Sequence, residues 1–364
     1  MTESFDIAII GAGMAGASLA AELVAVSHAP RVVLLEAEDQ PGYHSTGRSA
    51  AFWVESYGGP GVQPLTTASG PFLREGGFLR DRGALTIGKA GQEARVAEFA
   101  ETFAARGVQV EMLGRDRLDA LIPDLRPEWV IGAHEVDCCD IDVAALHQHY
   151  LSAARKAGVD LRCRARAETV EAASSGWRIG LADGTCVEAG IVVNAAGAWA
   201  DSVAAMCGVR APGISPYRRT IAQVRVSRPV PAHMPLVLDI DETFYFKPEG
   251  AGLWLSPHDE TPSPPCDAAP EEIDVALSID RLEGVVDWTV ERVEHRWAGL
   301  RSFAPDRLPV YGFDPHEAGF FWFAGQGGFG IQTAPAAARL AAGLILGTND
   351  SIVDPQPYSP QRFA

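Results

Sequence analysis

Asp6-Ile7-Ala8-Ile9-Ile10-Gly11-Ala12-Gly13-Met14-Ala15-Gly16 is a short apolar run that ends in a G-x-G-x-x-G cluster. The run has the length and residue types of a buried parallel strand. Residues 17–26 have helical composition, and Arg31-Val32-Val33-Leu34-Leu35 is a second apolar run that ends at Glu36. With 37 glycines in the chain, the glycine spacing alone says little. Its setting is specific: strand, turn, helix, strand, and a carboxylate 20 positions beyond the last glycine. Gly11 permits the tight turn, Gly13 leaves room for a pyrophosphate, and Gly16 lets helix and strand pack closely. The helix start, with Met14 and Ala15, offers N–H groups and a positive dipole end to phosphate. Glu36, beside Ala37, can accept hydrogen bonds from ribose hydroxyls, and its charge disfavours a 2′-phosphate. A glycine-rich turn without a ligand would not need the whole unit.

Two later segments repeat the strand-then-small-residue pattern. Ile191-Val192-Val193-Asn194 runs into Ala195-Ala196-Gly197-Ala198-Trp199. Gly319–Ala324 runs into a glycine cluster at 325–330, followed by an alanine-rich helical stretch from Pro335 to about Leu346. Between them, residues 219–227 and 236–256 alternate or carry aromatics at strand spacing. Val275, Ile279, Leu282 and Val286 recur at helical spacing, and 256–272 is a proline-rich acidic loop. The expected architecture is α/β with an α+β second domain. A Rossmann-type dinucleotide-binding domain comes from 1–85, 141–217 and 300–364. A substrate-binding domain with a mainly antiparallel sheet comes from 86–140 and 218–299. A length of 364 residues suits about two domains.

The glycine motif does not separate FAD from NAD. Three close-approach segments spread along the chain favour FAD: the donor-rich loop 41–51, the 194–199 turn and the 325–333 cluster. The formal charge of −17 argues against nucleic acid and anionic membrane as partners. No uninterrupted run of about 18 apolar residues occurs, so no transmembrane segment is expected. Six cysteines without a C-x-x-C pair fit reduced thiols, a cytoplasmic setting and no metal site. His147 and His149 lack an acidic ligand set and read as structural.

The segments Gly42–Ala51, Asn194–Trp199, Trp297–Phe303 and Gln326–Thr333 resemble the D-amino-acid oxidase superfamily, most of all bacterial D-amino-acid dehydrogenases of the D-arginine dehydrogenase type. The resemblance implies non-covalent FAD and oxidation of a D-amino acid by hydride transfer from Cα to flavin N5. The imino acid formed would hydrolyse to a 2-oxo acid and ammonia. It implies that Arg219 and Arg301 hold the substrate carboxylate, as a planar guanidinium fork does well, and that Tyr57 and Tyr245 close over the substrate. Cofactor contacts are expected from His44, Ser45, Thr46, Gly47, Arg48, Ser49 and Ala50 in the flavin loop. Ala167 is expected beside the adenine, and further contacts from Ala196, Gly197 and Trp199 and from Gly327, Gly328, Phe329, Gly330, Ile331 and Gln332. The sequence departs from the D-arginine pattern where the side chain is read. Phe52 and Gly83 stand where that enzyme has a histidine and a glutamate, and Leu236 and Leu238 are apolar wall positions. A neutral or apolar D-amino acid is therefore the expected small-molecule substrate, with oxygen, a quinone or another acceptor taking the electrons. Oxidation of a secondary amine of the glycine or sarcosine kind, or of a 2-hydroxy acid, remains the alternative. A flavin-binding protein without turnover is the alternative of another class.

Overall fold

The computed structural model describes residues 3–173, 176–348 and 353–364. Its first sheet is built around the opening strand Glu3–Ile10, which lies parallel between Cys186–Asn194 and Val32–Leu35. Asp160–Arg162 extends the sheet beyond Val32–Leu35. Phe320–Ala324 lies parallel to the C-terminal half of Cys186–Asn194. The opening strand is apolar from Ile7 to Ile10, where it is buried and covered on both faces. Ile7 and Ile9 pack with helices Met14–Leu23, Val143–Lys156 and Ala334–Leu346. Ala8 and Ile10 face the cluster around Val187, Ala200 and Trp322.

The second sheet has ten strands among the described residues. Its centre joins Val290–Phe303 to Ser215–Val226, then Gly252–Ser256, Tyr245–Glu249 and Leu236–Asp239. Each of those pairs is antiparallel. Ala84–Lys89 then lies parallel to Leu236–Asp239 and antiparallel to Trp129–Glu135. One face packs on helix Glu272–Glu283 and the cluster of Leu85, Val224, Phe246 and Trp288. The other face turns Ala84, Leu236, Ile221 and Tyr245 toward the first sheet.

All four borders drawn from sequence need correction; the one at 140/141 cuts the strand Cys139–Ile141, which pairs with Phe52–Trp53 and Leu79–Asp81. Ser215–Val226 and Val290–Phe303 lie wholly in the second sheet and pair along their full length, with Tyr217 opposite Arg301. The borders at 217/218 and 299/300 therefore cut through single strands. Ala84–Lys89, placed partly before the border at 85, also belongs to the second sheet. Composition gave no sign that strands of 12 and 14 residues run through these points. Residues 1–2, 174–175 and 349–352 of the expected ranges lie outside the described residues. No helix among the described residues is long and apolar enough to cross a membrane.

Candidate active site

A crevice of about 690 Å³ runs between the two sheets, lined by residues from Ile10 to Ile331. At one end stands the glycine turn. Gly11 has φ +102°, and a Cβ there would lie 2.5 Å from the Ala195 carbonyl oxygen. A Cβ at Gly16 would lie 1.9 Å from the Gly11 carbonyl oxygen, so strand and helix touch backbone to backbone. Glu36 is buried, and its carboxylate accepts from the N–H groups of Ala12 and Glu38 at 3.0 Å each. Thr46 Oγ1 accepts from the Met14 N–H at 2.9 Å. Gly13 precedes the helix without a capping side chain, and the first turn carries no acidic residue. The positive end of the helix is therefore open to an anion. These features fit a dinucleotide diphosphate.

Ala15, Ala37, Ser45, Ser49, Ala50 and Ala167 also line the crevice, as do Ala196, Gly197, Gly330 and Ile331. His44 lines it with its Nε2 2.9 Å from Glu38 and its ring 4.7 Å from that of Trp199. Arg48 lines it too, but its donors are taken by the Ala268 and Ala298 carbonyls and the Asp267 carboxylate. Gly16, Gly47, Phe329 and Gln332 do not line it. Gly47 closes its own loop through the Gly42 carbonyl. Phe329 packs on Tyr57 and Phe303. Gln332 is buried and bridges the Tyr57 carbonyl, Thr66 and the Val54 N–H, so its amide holds protein together.

At the far end, Arg219, Arg301 and Tyr245 come together. Arg219 is 3% exposed. It donates from Nε to the Asp259 carbonyl at 2.7 Å and from Nη2 to Glu260 at 3.3 Å. Its Nη1 is buried with no partner among the described residues. Burial and the neighbouring Arg301 charge push the Arg219 guanidinium down from its ordinary value, yet an arginine stays charged. Arg301 donates from Nη1 to the Tyr57 hydroxyl at 2.7 Å. It lies against Gly328, where a Cβ would come within 2.8 Å of Nη1. Two guanidiniums side by side, Arg219 buried with an unspent donor and Arg301 half-buried, call for an anion.

The residues expected to read the side chain sit farther back. Phe52 is 6% exposed and packs edge-on against Tyr57 and Tyr245, at 5.2 and 5.7 Å. Leu236 is buried behind them and Leu238 packs on the same cluster. Gly83 faces His134 and Pro235. None of the four lines the crevice. Several residues at the site carry no motif. His258 lies 3.4 Å from the Tyr57 hydroxyl, and Asp259 and Glu260 hold Arg219. Glu135 accepts from both the N–H and the hydroxyl of Ser56. Burial pushes its carboxyl up to about 7, against the pull of those bonds.

The family model described as DAO, FAD dependent oxidoreductase, matches residues 6–344. FAD-dependent oxidoreductase domain-containing protein 1 of Bos taurus is 27% identical over 194 residues, covering 49% of this chain and 40% of that protein. The chain thus spans about two fifths of that relative's length. Glycine oxidase of Geobacillus kaustophilus is 26% identical over 388 residues, covering 100% of this chain and 98% of that one. Its crystal structure superposes with a TM-score of 0.84 at 22% identity over 98% of both chains. The structure of L-proline dehydrogenase from P.horikoshii gives 0.85 at 21% identity, over 100% of this chain and 98% of that one. These two likenesses show the fold. A glycine turn with its buried Glu36, a crevice between two sheets and a family match over nearly the whole length agree: this chain belongs to the DAO family of FAD-dependent oxidoreductases.

Proposed function

We propose that the chain oxidises the C–N bond of a small amino acid of the glycine or N-substituted glycine kind. The observation that carries this reading is the pair of the buried Arg219 and the half-buried Arg301, with the Arg219 Nη1 left without a partner among the described residues. A substrate carboxylate supplies the anion that such a pair needs, through charge-assisted hydrogen bonds. Phe52, Tyr57, Tyr245 and Phe329 fill the space beyond the arginines, which supports a substrate with little or no side chain. The similarity to glycine oxidase over the full chain agrees with that size.

FAD, which Gly11, Gly13, Met14, Ala15, Glu36, Thr46 and the crevice-lining residues Gln326, Gly327, Gly328, Gly330 and Ile331 would hold, supplies a hydride acceptor when bound. The residues of this chain supply position. Arg301 and Arg219 fix the carboxylate, which fixes the direction of the Cα–H bond. Tyr245 and Phe52 keep water from the apolar side. With FAD bound there, the Cα hydride would pass to it while the amine lone pair forms the C=N bond. In this reading residues 1–85, 141–217 and 300–364, with the strand borders corrected above, hold the cofactor, and the remainder shapes the substrate side.

A neutral D-amino acid of the kind the D-arginine dehydrogenase resemblance suggested is the second reading. The apolar wall of Phe52 and Leu236 behind the arginines favours it. Anaerobic bleaching of the flavin absorbance separates the two. Glycine and sarcosine should bleach it fastest and D-arginine should not. Bleaching by D-leucine alone would transfer the assignment to the second reading. A yellow protein reduced by no amino acid in the panel would leave a flavin carrier without turnover.

A further inference from the structure

His258 stands where the strand Gly252–Ser256 passes into the acidic loop. Its φ is +53°, left-handed for a residue that is not glycine. Such a conformation persists only where the surroundings impose it, and it marks functional positions often enough to be followed up. Histidine is among the side chains that tolerate it best. Here the Ser256 hydroxyl accepts from the His258 N–H at 3.2 Å, and the preceding carbonyl, of Pro257, accepts from Arg281. The backbone is thereby pinned so that the ring stands edge-on to both Tyr57 and Tyr245, with centroids 6.3 and 5.8 Å away.

The hydrogen-bond directions follow from the donor inventory. Arg301 has donors only, so the Tyr57 hydroxyl must accept from Nη1. The hydroxyl proton then points elsewhere, and His258 Nε2 lies 3.4 Å away. An imidazolium there would face Arg219, Arg301 and Arg281. Burial, followed by the charges of Arg219 and Arg301, pushes the ring's titration down to about 2. The ring is therefore neutral, and in the tautomer that carries its proton on Nδ1 the Nε2 accepts. The next two residues set the other guanidinium, since the Asp259 carbonyl and the Glu260 carboxylate take two donors of Arg219. Asp259 is itself fixed by the Thr220 N–H and hydroxyl. Three consecutive residues thus align both arginines.

We propose that His258 is a positioning residue: it accepts a hydrogen bond from the Tyr57 hydroxyl, keeps the tyrosine oxygen turned to Arg301, and so fixes the guanidinium for the substrate carboxylate. This rests on the reading that the arginine pair binds a carboxylate, and the test separates the two. Acetate is the probe, titrated into the FAD-loaded protein by calorimetry, alongside kcat and KM for glycine. His258→Gly keeps the left-handed backbone without an acceptor, and His258→Asn keeps both. His258→Gly should weaken acetate and raise the glycine KM about fivefold, as for one lost hydrogen bond, with kcat within twofold. His258→Asn should recover most of the loss. In a Tyr57→Phe background, His258→Gly should cost nothing further, because the shared hydroxyl is gone. A purely structural role would give equal losses in both backgrounds, and that result overturns the proposal while leaving the carboxylate reading intact. Wild-type protein that neither binds acetate nor turns over any carboxylate-bearing amine overturns the carboxylate reading and this inference with it.

Discussion

Arg301 meets the crevice, Gly328 and Tyr57 at once, so its removal should be felt in substrate binding and turnover together. Arg301→Ala should lower kcat/KM by about two orders of magnitude or more, the size expected when a charge-assisted pair worth about 2–5 kcal/mol is lost. Steady-state kinetics that change less than threefold would deny it the role. Glu135 allows a different test. Its carboxyl titrates near 4.5 when unfolded and near 7 when buried. The folded protein therefore holds the extra proton between those values, and the stability this confers is whole below pH 4.5 and lost as the pH rises through 7. Against Glu135→Gln, wild type should lose up to about 3 kcal/mol of relative stability over that window. Urea unfolding at a series of pH values would read it, and parallel curves for the two proteins would rule it out. Neither Glu135 nor His258 was legible in the sequence. Each matters through a contact more than 75 positions away, Ser56 for Glu135 and Tyr57 for His258, and a lone histidine or glutamate has no local pattern to announce it. Arg219 and Arg301 were legible only because the chain resembles a family in which those positions hold a carboxylate.

The opening strand, turn and helix were readable at the level of the element because each glycine has a local reason to be there. A Cβ at position 11 would strike the Ala195 carbonyl and would also have to adopt φ +102°. Gly11→Ala should therefore yield protein with little bound FAD and a lower Tm, as seen by flavin absorbance per chain and by thermal unfolding. Normal flavin content would show that the turn can relax. Two side chains tie this turn to the rest of the fold. Glu36 receives the Ala12 N–H, and His147 Nε2 meets the Ala12 carbonyl at 2.9 Å. Glu36 was expected from its spacing and His147 from its missing ligand partners. The brace between them was not, because the helix Val143–Lys156 reaches the turn only in three dimensions. In the flavin loop, Arg48 lines the crevice while the acidic loop holds Asp267 against it, a competitor that sequence distance concealed.

The two sheets and the crevice between them make the cofactor part of the packing of the whole molecule. FAD added to the apoprotein should raise its Tm, with a stabilisation of about 2.7 kcal/mol at a hundredfold excess over the dissociation constant. An unchanged transition followed by circular dichroism would contradict a crevice that binds only the folded state. The fold class was legible as a whole, since parallel and antiparallel strands leave different hydrophobic patterns. The side-chain pocket was not, since Phe52, Leu236, Leu238 and Gly83 meet the site through neighbours and not through the crevice wall. The crevice also imposes an order of events on synthesis. Its walls draw on Ile10 near the start of the chain and Ile331 near the end, and Phe320–Ala324 completes the sheet beside Cys186–Asn194. A chain still emerging from the ribosome has only part of the cradle, so cofactor capture must wait until Ile331 has been made. The half-made first sheet spends that interval with an uncovered edge.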